Sequence, residues 1–425
     1  MSAQRAGRTL FAASVLGALN TLNAYRPFVR KGNAVIAAMA AGSLTSELPL
    51  QTIAWQQLAT LRFARRGALR TKAGRAGLAI SAASWVALAG LHRDALRSAE
   101  VLEDALIDAL GTGYRTRIVA PRAAPVDVPL RRTQIALPRR GPRRRYLHAH
   151  DVAYGAFGAR NHLDVWRRTD LPAGAGAPVL VQVHGGAWSI GEKTGQAYPL
   201  LSHLAERGWV GVSITYRRGG DAAWPDHIVD VKRALAWVKR NIADHGGDPS
   251  FVAITGGSAG GHLAALAALT ANEAVFQPGF EDEDTRVQAA VPLFGVYDFV
   301  DVERDGVPDT EKFVERVLFR TTLAEDRLQW EQASPVAWVG PDAPAFFVVH
   351  GANDVFARPA QARRFVELLR KESSAPVAHA ELPRAQHSFE IFTSVRAVNT
   401  VRAIERFLDT VYCDARRAEP MRSST

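Results

Sequence analysis

The chain of 425 residues predicts an α/β protein: a mostly parallel sheet with helices on both faces, preceded by an N-terminal apolar helical region. Three observations support that class. From about residue 146 onward, short β-branched runs alternate with stretches whose apolar residues recur at helical spacing, the pattern of repeated strand–helix units. Runs such as "APVLVQV" and "FVAIT" are apolar almost throughout rather than at alternate positions, so both faces of their sheet are covered. Ahead of residue 146 the composition changes: residues 1–145 hold 23 Lys and Arg against 7 Asp and Glu, and the remainder 29 against 35. With 47% hydrophobic and 22% charged residues the chain can bury a sizeable core, which excludes a mainly disordered protein.

Residues 1–110 read as a basic, apolar, membrane-associating helical region. Its apolar stretches, 10–20, 33–44 and 76–91, are each shorter than the roughly 18–20 residues that a helix needs to cross a bilayer. Basic residues flank them throughout: Arg5 and Arg8, then Arg26, Arg30 and Lys31, then the cluster from Arg62 to Arg75, then Arg93 and Arg97. Basic and non-basic loops do not alternate. The simplest solution therefore keeps every basic flank at one face, against an anionic membrane surface, and lays short helices or shallow hairpins into the interface. The stretch "SELPLQTIAWQQLATLRF" (46–63) suits such a helix, with Ser46 as N-cap, Pro49 at its start and Trp55 at headgroup depth. A span through 76–91, soluble helices that cap the body, and a cleaved leader stay open as alternatives, the last weakened by the poor cleavage site in "LNAYRPFVRK". Positive charge in so apolar a setting argues for a membrane surface and against a nucleic acid. On this reading, deleting residues 1–110 leaves an active, soluble body.

"SAEVLEDALIDALGTGY" (98–114) reads as a helix that stops at Gly111. Residues 111–145, rich in Pro and Arg and without a sustained period, read as a surface linker. The body spans 146–415, and 416–425 reads as a disordered tail. Within the body, "HLDVWRR", "APVLVQVHGGAW", "WVGVSITYR", "FVAITGG", "VQAAVPLFG", "APAFFVVHG" and "VAHAELP" are strand-like. "GQAYPLLSHLAERG", "HIVDVKRALAWVKRNIADHG", "GHLAALAALTANE" and "RPAQARRFVELLRKES" are helical. Segment 299–342 is too long for a simple crossover and reads as a cap over the strand ends.

Sites in such sheets form at the carboxyl ends of the strands. "ITGGSAGGHLAA" (254–265) puts Ser258 between a strand and a helix, the context of a nucleophile elbow. Gly256 and Gly260 let strand and helix cross closely. The dinucleotide fingerprint fails because Ser258 stands where its second glycine belongs, and without GK[ST] a P-loop is excluded. A serine hydroxyl needs a base and a stabilised oxyanion. "VHGGAW" (183–188), past another strand, offers the N–H groups of Gly185, Gly186 and Ala187, with the Ala259 N–H as partner from the elbow. Asp354 in "VVHGANDVF" and His387 in "LPRAQHSF" each follow a later strand, completing the order Ser, acid, His. Asp298, after "LFGVY", is the rival acid. His184, His262 and His350 read as loop braces, and the Trp residues at 224, 330 and 338 as core packing with an acyl-pocket lining as the alternative.

Together these motifs, "HGGAW", "GGDPSFVAITGGSAGGHLAAL", "YGAFGARNHLDVWRR" and "APAFFVVHGANDVF", resemble the hormone-sensitive-lipase-like serine esterases of the α/β-hydrolase superfamily over residues about 146–412. The resemblance implies a carboxylic ester hydrolase with no metal and no cofactor, in which the HGG loop supplies the oxyanion hole. The basic front is similar, more loosely, to that of membrane-associated lipases and esterases of this group. The implied partners are an ester or lipid substrate and a membrane surface. Two departures stand out: many relatives read G-D-S-A-G-G where Gly257 stands here, and "VFARP" replaces their V-P after the acid. An acyltransferase or deacetylase using the same triad, and a non-catalytic scaffold, are the alternative functions. The single Cys413 excludes an internal disulfide, and "HAH" (148–150) lacks companion ligands for a metal.

Overall fold

A computed structural model describes residues 1–28, 34–119, 145–300 and 310–422. Among these residues, eight strands form one sheet: β1 (Leu147–Ala153), β2 (His162–Trp166), β3 (Ala177–Val183), β4 (Val210–Ile214), β5 (Gly247–Gly257), β6 (Ala289–Leu293), β7 (Ala345–Gly351) and β8 (Val377–Leu382). Their order is β1-β2-β4-β3-β5-β6-β7-β8. Only β2 runs against its neighbours, β1 and β4; every other pair is parallel. The chain reverses its direction of travel across the sheet at β3, which lies between β4 and β5, so a crevice opens at the carboxyl ends there. Strand β1 escapes the sequence reading because it is a half-exposed edge strand, "LHAHDVA", with no buried residue and so no apolar signal.

Alternation along the strands sorts the two layers. Val179, Val181, Val183, Phe346 and Val348 pack against α6 (Asp226–Asn241), α7 (Ala259–Leu269) and α8 (Pro359–Glu372). Leu180, Ala253, Val291, Phe347 and Val349 face α5 (Tyr198–Glu206), α9 (Val395–Arg422) and the second half of α4 (Lys72–Leu110). The presence of α4 in that layer alters the expected domain division. Leu102 and Leu106 on it are wholly buried with Leu200, Phe407 and Leu408, so residues up to 110 belong partly to the catalytic core.

The stretches 76–91 and 98–114 are one helix of 39 residues, ending as expected at Gly111, which has φ 83°. Nothing in "HRDALR" (92–97) breaks a helix, which is why two sequence stretches fuse. Helix α1 (Ala3–Tyr25) runs alongside α4 in the same direction: Ser14 Oγ meets Ser81 Oγ at 2.8 Å, Thr21 meets Ser84 at 2.8 Å, and Tyr25 donates to Ala87 O at 2.6 Å. Helix α2 (Ala34–Glu47) and α3 (Pro49–Arg65) complete this bundle, α3 running back so that Gly67 lies against Ala3. The basic flanks therefore collect at opposite ends of the bundle rather than at one face. Arg5, Arg8 and the 62–75 cluster share one end, and Arg26 and Arg93 lie toward the other.

Two further expectations change. Residues 111–119 are mostly exposed, yet they are pinned rather than loose: Tyr114, in the turn Tyr114–Arg117, is buried and donates to Glu103 Oε2 at 2.9 Å, while 120–144 lie outside the described residues. The tail from 416 is not disordered as far as Arg422, because α9 continues to that residue. In the cap segment, of which 301–309 are outside the described residues, Phe319 stacks on Trp330 at 4.3 Å and Arg320 donates to Ala222 O at 2.8 Å. Trp224 and Trp330 are buried in the core, as the packing reading expects.

Candidate active site

Ser258 follows β5 directly and adopts φ 58°, ψ −123°, a region that side-chain-bearing residues avoid unless their surroundings enforce it. The enforcement is visible: its N–H donates to Leu293 O at 3.0 Å, and its carbonyl accepts from the His262 N–H at 3.0 Å, the first turn of α7. A Cβ on Gly256 would come 2.4 Å from Gly260 O, and one on Gly260 would come 2.2 Å from Val183 O. Both glycines are thus required by the close crossing of strand and helix. The hydroxyl projects from the turn toward the loop after β8.

That loop brings His387, whose Nε2 lies 2.8 Å from Ser258 Oγ, while its Nδ1 lies 2.7 Å from Asp354 Oδ2. With Nδ1–H donating to the carboxylate, Nε2 is the acceptor for the serine proton. Asp354 is wholly buried as a side chain, and its Oδ1 accepts from the N–H groups of Phe356 and Ala357 at 2.8 and 3.0 Å. This is how "DVFARP" shapes the acid loop. Burial opposes ionisation of Asp354, but the facing His387 and His350 outweigh it and hold the carboxyl well below the usual range. For His387 burial opposes the cation, and the Asp354 carboxylate more than offsets this, so its pKa lies above the ordinary histidine value. A base must be neutral to accept a proton. The acid limb of kcat/KM against pH is therefore expected above 6.5, and Asp354→Asn should move it downward; an acid limb below 6.5 in the unaltered protein would contradict the pairing.

The rival acid is excluded by position: Asp298 Oδ1 accepts from the Val300 N–H at 2.9 Å, and the His387 partner is Asp354. The histidines singled out as braces are such. His184 donates from Nδ1 to Gly185 O at 2.9 Å, stacks on Tyr216 at 4.2 Å and is pushed down to about 3 by burial. His262 accepts from Trp188 Nε1 at 3.1 Å and donates to Ala333 O at 2.8 Å, tying the loop after β3 to the cap. His350 donates to Ala357 O at 2.7 Å within the acid loop.

The oxyanion donors need one correction. The Gly185 N–H donates to Gln196 Oε1 at 2.8 Å, so it is committed to holding the loop. Gly186 and Ala187 make no such backbone donation among the described residues, and Ala259 is the first residue of α7, where an N–H has no intrahelical acceptor. The loop presses onto the elbow: a Cβ on Gly185 would lie 2.5 Å from Gly257 O and 3.3 Å from Ser258 Cβ. Sequence pattern could not expose the role of Gln196, because nothing in the spacing says that it folds back eleven residues.

Gly257 is explained by its neighbours. A Cβ there would meet Phe294 Cζ at 2.7 Å and Glu390 Oε1 at 3.1 Å. Phe294 packs edge-on to His387 with ring centroids 4.8 Å apart, so its ring cannot retreat without disturbing the base. Burial pushes Glu390 up to about 7, and its Oε2 has no hydrogen-bond partner among the described residues. Gly257→Asp is expected to lower Tm by several degrees, on the basis of about 1–3 kcal/mol for overpacking plus a second carboxylate near Glu390; an unchanged Tm would show that Phe294 yields freely. Phe294 and Glu390 were not legible beforehand, although an acid inside the apolar run "SFEIF" is itself a signal of a buried polar role. Among the described residues no group of His, Cys, Asp and Glu has the arrangement of a metal site.

A mostly parallel sheet between helix layers, with an elbow serine after β5, a buried carboxylate after β7 and a histidine after β8, defines a serine hydrolase of the α/β-hydrolase superfamily. The BD-FAE family model matches residues 163–369. The chain is 46% identical over 399 residues to the probable carboxylic ester hydrolase LipM of Mycobacterium tuberculosis, covering 92% of this chain and 90% of that protein. It is 46% identical over 320 residues to the esterase LipQ of the same organism, covering 75% and 76%. The solved esterase Est2 of Thermogutta terrifontis shares the fold with a TM-score of 0.50 at 24% identity, over 60% of this chain and 87% of that one. The chain belongs to the hormone-sensitive-lipase-like carboxylic ester hydrolases, as its motifs implied.

Proposed function

We propose that the protein hydrolyses short to medium acyl esters through an acyl-enzyme, at a membrane surface. The relay Ser258–His387–Asp354, with its 2.8 and 2.7 Å contacts, is the observation that supports this most directly. Ser258 Oγ attacks the ester carbonyl while its proton passes to His387 Nε2, and the carbonyl oxygen takes up negative charge facing the N–H groups of Gly186, Ala187 and Ala259. Collapse breaks the bond to the alcohol, which leaves with the proton from His387. Water then adds to the acyl-enzyme, giving a proton to the same nitrogen; the carboxylic acid departs and Ser258 regains its hydrogen. Asp354 stays ionised throughout, holds the Nδ1–H tautomer and stabilises the imidazolium. The apolar, basic front supports the membrane setting.

A fluorophosphonate probe and a series of p-nitrophenyl esters from acetate to laurate test this reading. Stoichiometric phosphonylation at Ser258, located by mass spectrometry, and a rate maximum between butyrate and octanoate are expected. Absence of labelling, or no hydrolysis along the series, would overturn it.

A further inference from the structure

The N-terminal bundle is built inside out. Apart from Leu10, Leu88 and Leu91, its buried positions are small or polar, and they include Ser14, Thr21, Asn23, Ser43, Ser81 and Ser84. Its exposed positions between the charged ends are apolar almost without exception: Leu16 is 68% exposed, Trp55 73%, Leu58 58% and Val86 76%. Of the exposed residues in 9–25, 34–61 and 76–91, Thr9 and Gln57 alone are polar. A soluble bundle puts its large apolar side chains inward, and a helix amphipathic for a single interface is apolar on one side of the assembly. Here the outward faces of α1, α2, α3 and α4 are all apolar. The contact between α1 and α4 rests on close backbone approach and hydroxyl pairs, the way helices associate where apolar burial drives nothing.

We infer that this bundle crosses a lipid bilayer, with the catalytic loops at headgroup level on one side, so that the enzyme takes esters dissolved in the membrane. The uncharged runs of α1, α3 and α4 are residues 9–25, 48–61 and 76–91. At 1.5 Å per residue they span about 21–26 Å, slightly under the roughly 30 Å of hydrocarbon, a gap that long arginine side chains and local thinning bridge. Arg5 and Arg8 meet the six Lys and Arg of residues 62–75 at the far end, and residues 1–46 contain no Asp or Glu. Such an end cannot rest in hydrocarbon and must emerge among headgroups. The near end meets the site. Asn353, beside the acid, donates to Tyr25 O at 2.9 Å; Ser43 Oγ donates to His387 O at 3.0 Å; Ser46 Oγ donates to Arg384 O at 2.8 Å. Phe356, exposed and 5.6 Å from the His387 ring, adds an apolar lip.

The crossing stands apart from the activity, whereas the choice of substrate rests on the hydrolase reading. Full-length protein in vesicles of phosphatidylcholine and phosphatidylglycerol, with Cys413→Ser and a spin label on Leu19→Cys, Leu58→Cys or Val86→Cys, distinguishes the possibilities. All three labels should collide with oxygen and be shielded from a water-soluble nickel chelate, while a label on Leu328→Cys in the cap is open to nickel. Nickel access at any of the three, as in one-sided docking, or a lipid-free soluble oligomer that shields them, would overturn the crossing. A long-chain ester in the protein's own vesicles should be hydrolysed about tenfold faster than the same ester in separate vesicles, an effective-concentration gain. Equal rates would overturn the substrate assignment. p-Nitrophenyl butyrate separates the two readings: no hydrolysis with shielded labels removes the esterase reading alone, and hydrolysis with water-accessible labels removes the bundle alone.

Discussion

Ser258→Ala is expected to lower kcat for p-nitrophenyl butyrate by about 10⁵–10⁶ while leaving the far-ultraviolet circular dichroism spectrum and Tm in place. The change deletes one oxygen and one hydrogen bond, to His387 Nε2, and keeps the Cβ on which the turn is built. Alanine meets the same cost at φ 58° as serine, because the restriction comes from Cβ and not from the hydroxyl. No structural debt is therefore added, and the loss is one of chemistry. Asp354→Asn should cost about 10⁴, through loss of the Nδ1–H tautomer and of the charge that stabilises the imidazolium. The double variant Ser258→Ala/Asp354→Asn should be no worse than Ser258→Ala, since the three groups act as a unit. Turnover in Ser258→Ala above a thousandth of the original would mean that another nucleophile does the work.

The parts of this molecule that a sequence can show are those in which one short stretch carries its own geometric reason. The elbow is such a part: Gly256 and Gly260 at fixed offsets from Ser258 can be read without knowing what lies across from them. So is the Ser, acid, His order, since each residue follows a recognisable strand. Gly185 was misassigned because its N–H is claimed by Gln196, a contact that depends on a fold-back with no local mark. The space beside Gly257 is filled by Phe294 from just past β6 and Glu390 from beyond β8, both remote in sequence. The arrangement of the front was illegible for a different reason. Hydropathy counts how apolar a stretch is and not which of its residues face inward, so the inversion at Ser14, Ser81, Leu16 and Val86 appears only when the helices are assembled.

Glu47→Ala is expected to destabilise the protein by about 3–5 kcal/mol and to lower turnover in whatever remains folded. Glu47, at the end of α2, pairs with Arg396 at the start of α9, with side chains 1% and 0% exposed, and accepts from Ser394 Oγ at 2.6 Å. Arg396 also donates to Pro383 O at 3.0 Å, so the pair closes the base of the loop that carries His387. Removing the carboxylate strands a guanidinium that water cannot reach. Replacing both partners, Glu47→Leu with Arg396→Met, should recover much of the Tm because no lone buried charge is left, whereas activity should recover less, since Ser394 and Pro383 lose their common anchor. Recovery of both in full would show that the pair only stabilises and does not position the histidine. The same contacts reverse the expectation that residues 1–110 can be cut away. Their loss would remove Glu47 and, with Leu102 and Leu106, about 3–6 kcal/mol of apolar burial from the sheet's own core, so the truncated body should fail to fold; an active, soluble 111–425 fragment would refute that. The ester site and the bundle are joined through buried side chains, and that coupling ties the position of His387 to the seating of helix α2.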